Sequence, residues 1–430
     1  MAPFFLLLEL LSYAFIVYLF LKKKDLAILY LPVVFFTRSV IDPVLPAITF
    51  YFSMTALVFS FVFRNPYYFK QNVPAFLLFL YFLVLLPRST NLEFIRPYVF
   101  SVLWLFTLVP MISTIYQKHS REEIFYELKN AALLILILFI ANVVVSTLKG
   151  FSPTEMYGIT TGILYGNVYA AGFNILTYCI FVVALSSIHH RSFFNLVVLV
   201  TAVSFLLLSL RRSVIGMSFL GVAIAYFTLL TREKAKMFVL AGVLIFTIGT
   251  VLYSATDLAD SFKERYELRK LDERELEEES RFLEYELLYK DMFVYYDYSP
   301  LIGYEPFNSW GNYGRGALED RSLHGDLTSI THSSGLIGLC LYLLMVFTAF
   351  RSAWRAAETR TDLLIILFSA ISFAAYTLTG RYTEIGSMMM LYLVLLLPLS
   401  NNDKETDEEE VEEEQEDLPA ISNALTTHVY

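Results

Sequence analysis

Residues 131–148 read AALLILILFIANVVVSTL, eighteen consecutive residues without a charge. At about 1.5 Å of rise per residue, roughly 20 such residues in a helix cross a hydrocarbon core of about 30 Å. The stretch has no polar face of the kind that an amphipathic helix on a soluble domain needs. It reads as a membrane-spanning helix, and it is not alone. Uncharged runs of 17 to 21 residues recur from end to end of the 430-residue chain, which is 57% hydrophobic, 16% aromatic and only 17% charged. Helices are expected at 3–21, 26–41, 44–63, 73–87, 97–116, 131–148, 161–187, 193–210, 213–231, 237–254, 334–350, 362–379 and 383–399. Glu9 interrupts the first of these, and Arg38 and Asp42 shorten the second. The fold class is all-α, a polytopic transmembrane bundle of about 12 to 13 helices.

The formal charge of −9 is localised. Residues 401–430 contain 11 Asp and Glu against one Lys, which leaves 30 acidic and 31 basic residues elsewhere. A run such as Glu408, Glu409, Glu410, Glu412, Glu413 and Glu414 cannot bury enough apolar surface to fold, and reads as a disordered, solvating tail. A docking tail for a basic partner is the other reading. Cys179 and Cys340 both fall in expected membrane helices, so no disulfide framework is implied. The first apolar segment has no basic stretch before it and no small-residue cleavage pattern after it, which favours a retained helix over a signal peptide.

Orientation follows from Lys and Arg in alternate loops, because cytoplasmic loops retain an excess of positive charge. One set carries sixteen, including Lys22, Lys23, Lys24, Lys118, Arg121 and Arg351; the short loops of the other set carry seven. The first set is expected on the cytoplasmic side, together with the acidic tail. The chain then divides into N-terminal membrane helices (1–254), one long extracytoplasmic loop (255–333), C-terminal membrane helices (334–400) and the tail (401–430).

That loop is the one long polar interruption, so chemistry on a water-soluble group is sought there. Residues 257–286 are rich in charge and free of Pro and Gly. From Phe282, the residues Tyr285, Tyr289, Met292 and Tyr296 follow at helical spacing, which predicts a helix lying on the membrane surface or capping the bundle and stopping at Ser299-Pro300. Glycines at 303, 311, 314, 316 and 325 mark the remainder as irregular.

His324 stands just before a helix expected to begin near Ser333. A neutral imidazole accepts a proton near pH 7, which makes it a candidate general base; the competing reading is an exposed loop histidine, and His332 is a rival. Arg281 lies on the surface helix, where it can bind an anion or simply pair with Glu277 or Glu278 one turn earlier. Arg211 and Arg212 sit between two expected helices, on the face where the charge bias disfavours them. Their guanidinium forks suit phosphate oxygens, and snorkelling at the interface is the alternative. Asn167 lies near the outer end of the seventh expected helix, as a substrate contact or as a cap and helix-packing group. Gly335 and Gly338 read as packing glycines. The sequence contains no G-x-x-x-x-G-K-[ST], H-E-x-x-H, C-x-x-C or D-x-D pattern, so no cofactor or metal is expected.

Together these segments resemble the bacterial O-antigen ligase and O-antigen polymerase superfamily of membrane glycosyltransferases. The family pattern H-N-x-[YF]-L followed by G-[LI]-[IL]-G-L is similar to His324-Gly325-Asp326-Leu327-Thr328 and Gly335-Leu336-Ile337-Gly338-Leu339, at the same offset of eleven residues. An arginine opening a surface helix before a P-L-x-G-x-G-like turn resembles Arg281 with Pro300-Leu301-Ile302-Gly303-Tyr304-Glu305. The outer serine-arginine motif resembles Ser209-Leu210-Arg211-Arg212-Ser213, and the G-N-P-N-x-x-A element is similar to Gly166 through Ala171. The likeness covers roughly 160–345. It departs at Gly325 in place of asparagine, at Glu305 in place of the second glycine, and at Leu210, which leaves the choice between Arg211 and Arg212 open.

The resemblance implies transfer of a glycan from a polyprenyl diphosphate-linked donor to a saccharide or lipid A-core acceptor, at the periplasmic face of the bacterial inner membrane. His324 would be the base, and Arg281 with Arg212 or Arg211 would stabilise the departing diphosphate. No nucleic-acid partner is expected. A ligase and a polymerase are not distinguished. The alternatives are a lipid-linked glycan transporter or flippase, which calls for ionisable residues within several helices, and a scaffold acting through the acidic tail.

Overall fold

The computed structural model describes residues 2–151, 159–160, 165–166, 168, 170–189, 192–209, 211–228, 280–318, 321–379 and 383–400. The expected helix at 237–254, the charged stretch before residue 280 and the acidic tail lie outside them. The described chain is helical, with α1 (Ala2–Tyr18), α2 (Leu31–Val40), α3 (Ala47–Arg64), α4 (Val73–Leu85), α5 (Leu92–Tyr116), α6 (Arg121–Leu148), α7 (Asn174–His189), α8 (Phe193–Leu208) and α9 (Arg212–Phe227). After the undescribed stretch come α10 (Ser280–Phe293), α11 (Asp326–Ala356), α12 (Arg360–Thr379) and α13 (Ile385–Leu395). The one sheet among the described residues is a two-residue antiparallel pair, β1 (Ile159–Thr160) with β2 (Tyr165–Gly166), and β2 falls inside the span expected to open the seventh helix.

Six helical segments among the described residues are long and apolar enough to cross a membrane: Pro3–Val40, Ala47–Arg64, Leu92–Tyr116, Arg121–Leu148, Asp326–Ala356 and Arg360–Leu378. The first is folded back on itself. A continuous helix would separate Glu9 from Arg38 by about 43 Å, yet Arg38 Nη1 donates to Glu9 Oε1 at 3.0 Å. The reversal falls at Lys24, whose φ is +49°, after a π-turn at Leu19–Lys23 and before a 3-10 stretch at Lys24–Tyr30. Glu9, an interruption by sequence, is a buried anchor that also accepts from the main chain of Val44 (2.8 Å) and Leu45 (3.0 Å).

Local signals set the other starts. Asn72 accepts from Ala75 N and Pro74 occupies the first turn of α4; Asn91 caps α5; Ser120 accepts from Glu123 N at the start of α6. Each satisfies an N–H that the first turn leaves without a partner. Every residue of α13 is buried, as a helix that is apolar all round requires. It packs against α2, α5, α7 and α12, with α7 against α6 and α9, and α4 against α11.

The cationic turns meet at one end. Lys118 Nζ donates to Asn65 Oδ1 at 2.5 Å, Arg64 lies 3.7 Å from Asp25, and Lys23 pairs with the buried Glu127 at 2.5 Å. The turns at 41–46 and 89–91 and the residues 299–318 and 321–325 occupy the other end, where Arg88 donates to the carbonyls of Ile302 (2.9 Å), Gly303 (3.0 Å) and Tyr304 (2.6 Å).

Candidate active site

The helix α10 ends at Phe293 rather than at Ser299, and the face it turns to the protein differs from its aromatic pattern. Glu284, Leu288, Asp291 and Met292 are buried, whereas Tyr289 and Tyr296 are 60% and 73% exposed. Two carboxylates occupy the inner face because donors from later in the chain meet them. Asp291 accepts from Gly314 N at 2.6 Å and Tyr298 OH at 3.4 Å. Burial pushes its carboxyl above the ordinary value, and the Gly314 N–H opposes that rise.

Glu284 has no exposed surface and is surrounded by donors. Its Oε1 accepts from Arg321 Nη2 at 2.8 Å and lies 3.2 Å from His324 Nδ1. Its Oε2 accepts from the main chain of His324 (3.0 Å) and Gly325 (3.4 Å), and from Thr328 Oγ1 (3.5 Å). Burial raises the Glu284 carboxyl, but the His324 side-chain and main-chain donors, the histidine's charge and the Gly325 N–H outweigh it, so the group sits below its ordinary value. An ionised carboxylate only accepts, so Nδ1 carries the hydrogen. In the neutral ring, Nε2 then holds a lone pair, on a side chain one-third exposed. This is the arrangement of a general base whose orientation is held by a carboxylate.

His324 precedes α11 more closely than the sequence indicates. That helix begins at Asp326 with Gly325 as its N-cap, not near Ser333. His332 is therefore inside the helix and wholly buried. Its Nε2 lies 3.0 Å from Asn312 O, and its ring is packed by Tyr298 and Tyr304, each with centroids 5.3 Å away. With no path for a substrate to reach it, His332 holds the loop in place and is not a base.

Gly335 breaks α11 rather than packing it, with φ +66° and ψ −167°, a conformation essentially reserved for glycine. The loop strand 300–304 enters the break. Leu336 N donates to Pro300 O (2.9 Å), Ile337 N to Leu301 O (3.2 Å) and Tyr304 N to His332 O (2.8 Å). A Cβ at Gly303 would meet His332 O at 2.4 Å, and one at Gly335 would meet Leu301 C and O at 2.3 Å. The two sequence motifs around these glycines form one backbone contact. Glu305 secures it, accepting from Thr90 N and Thr90 Oγ1, both at 3.0 Å, and from Asn308.

Arg281 stands in the first turn of α10, three residues before Glu284, and Arg212 opens α9. Their side chains, and Asn167 altogether, lie outside the described residues. Arg211 is the N-cap residue of α9, and its guanidinium lies 4.9 Å from the centre of the Phe173 ring, against the start of α7. Glu284 and Arg321 are the partners of His324's site that sequence reasoning missed. The available signals were two carboxylates, Glu284 and Asp291, four and three residues either side of Leu288 on one helix face, and an arginine three residues before the histidine. Compared with known proteins, the chain matches no family model and no curated protein.

Proposed function

We propose that this chain is a membrane glycosyltransferase of the O-antigen ligase and polymerase type, moving a glycan from a polyprenyl diphosphate carrier onto a saccharide hydroxyl. The observation that carries the reading is the His324–Glu284 pair, a partly exposed imidazole oriented by a wholly buried carboxylate at the end of an apolar helix bundle.

In the proposed reaction, His324 Nε2 takes the proton of the acceptor hydroxyl as its oxygen bonds to the anomeric carbon. The bond from that carbon to the diphosphate oxygen breaks, and the electron pair leaves with the diphosphate, so configuration inverts. The positive charge gained by the ring faces Glu284, and Arg281 with Arg212 or Arg211 offsets charge on the leaving group. The donor is already activated, so no ATP is needed. The positive-inside rule supports the lysine-rich end of the bundle as the cytoplasmic one, and in this proposal the His324 end faces the periplasm from the bacterial inner membrane.

The test is His324→Ala in cells lacking the wild-type gene, read as surface polysaccharide and carrier-linked glycan on gels. Loss of polymer at normal protein abundance is expected. Single repeats would identify a polymerase, and long chains stranded on the carrier a ligase. Unchanged polymer would overturn the role of His324.

A further inference from the structure

At the same end of the bundle, α2, α3, α5 and the turn before α13 enclose a cavity of about 460 Å³. It adjoins the loop that carries His324. Pro97 and Ser101, one turn apart on α5, line the cavity, while Tyr98 between them stacks on Phe307 of the loop with ring centroids 6.5 Å apart. The volume lies in the range of small-molecule sites.

The lining selects among ligands. Among the described lining residues Arg38 supplies the one guanidinium, held 5.2 Å from the Phe50 ring centre and paired with buried Glu9 at 3.0 Å, so its charge is already balanced. Asp42, exposed at the mouth, and Glu384 add two carboxylates, and Ser39, Ser101 and Thr383 add hydroxyls. Among the described lining residues, a diphosphate would meet the Asp42 carboxylate and a guanidinium already paired with Glu9. A hydrocarbon chain would strip water from carboxylates and hydroxyls and return no hydrogen bonds. A neutral sugar satisfies both demands, because its hydroxyls donate to carboxylates in charge-assisted bonds while its C–H surface lies against the Phe35, Phe50 and Ile385 side.

The wall is preorganised. Tyr51 stacks on Phe100 at 4.6 Å, and Trp104 lies about 6 Å from Phe35, Phe50 and Tyr51 while its Nε1 donates to Thr55 Oγ1 at 3.2 Å. Little side-chain freedom is left to lose on binding.

We propose that this cavity is a saccharide-binding subsite that takes an uncharged pyranose of the glycan. Only its link to the chemistry at His324 rests on the glycosyltransferase reading. Trp104, packed against the cavity's aromatic wall, supplies the readout. The full chain carrying Trp310→Phe and Trp354→Phe, so that Trp104 is the sole tryptophan, is placed in nanodiscs. It is titrated with methyl pyranosides of gluco, galacto, manno and N-acetylgluco configuration to about 50 mM, some fifty times a millimolar dissociation constant. At least one sugar is expected to give a saturable fluorescence change. Asp42→Asn should weaken it by about tenfold through loss of a charged acceptor, and Ser101→Phe, which fills the cavity, should abolish it. No saturable response, or the same response in both variants, would overturn the proposal, as would a response to short alkyl phosphates in place of sugars. His324→Ala should bind sugar normally. Binding without any transfer by the intact protein would leave the subsite standing and remove the enzymatic reading, and transfer without binding would do the reverse.

Discussion

Replacing Glu284 by Gln changes one atom and should disable the site. Every group within hydrogen-bond distance of the two Glu284 oxygens serves as a donor: Arg321 and His324 Nδ1 at one, the main chain of His324 and Gly325 with Thr328 at the other. A carboxamide must turn its NH2 toward one of those sets, so at least two donors lose their acceptor and face another donor. A hydrogen bond to a charged group contributes about 1.5–3 kcal/mol. Breaking a fully buried ion pair costs about 3–5 kcal/mol, but Arg321 and His324 keep a quarter to a third of their side-chain surface in solvent, which reduces this to roughly 2–4 kcal/mol. The effect on turnover should be larger, because the imidazole loses the group that sets its tautomer and direction. A fall in kcat of about 10²–10⁴ is expected, with KM for donor and acceptor nearly unchanged. The assay is transfer by the purified protein in nanodiscs, with thermal melting of the same samples. The stability deficit also depends on pH. Glu284 is held below its ordinary value in the folded protein, so its contribution is complete above the unfolded value and is lost as pH falls through the folded one. The gap in melting temperature between wild type and Glu284→Gln should be widest at neutral pH and narrow as the pH falls below the ordinary glutamate value. A folded variant with kcat within about twofold of wild type would refute the orienting role.

Arg281→Lys and Arg212→Lys keep the charge and lose the planar fork, and each should lower kcat by about tenfold or more; unchanged turnover removes that arginine from the mechanism. Gly335→Ala forces a Cβ into the Leu301 carbonyl at 2.3 Å in a backbone conformation that costs about 1–3 kcal/mol for other residues. Earlier melting and faster amide exchange of the 300–304 strand are expected, and a wild-type melt would count against the contact. Arg88→Ala withdraws the donor from three carbonyls, at roughly 1.5–3 kcal/mol for a bond to a charged group. It should loosen residues 302–305 to exchange and depress transfer; unaltered protection there would show that Arg88 does not hold the loop.

Helices were legible in this sequence wherever their signal was local. Apolar runs marked the elements and placed the start at residue 73, but the starts expected at 97 and 131 fall short of the true ones at Leu92 and Arg121, where Asn91 and Ser120 are local caps that the apolar pattern does not register. Readings failed where the deciding partner is distant. Glu9 looked like a defect in a membrane helix because Arg38 is 29 residues away, and the aromatic pattern of α10 did not reveal its buried carboxylates because the main-chain donor to Asp291 and the donors to Glu284 come from 23 to 44 positions later. A periodicity rule counts a carboxylate as outward-facing, and that holds only until other elements bring it enough N–H groups.

The start of α11 shows the same physics from the opposite side. Gly335 reads as an ordinary packing glycine, and the helix was placed from Ser333 onward. In the fold the helix opens seven residues earlier, and Gly335 is a break filled by Pro300 and Leu301 carbonyls. The break has a consequence for the site. Tyr304 N bonds to His332 O just before the break, while Leu336 and Ile337 bond to the loop just after it, so residues 300–304 are fixed to both halves of α11. The same helix begins two residues after His324, and Glu284 reaches its first turn through Thr328. Loop, helix start and imidazole are therefore tied to one another, so a disturbance at Gly303 or Gly335 should reach His324 without touching it.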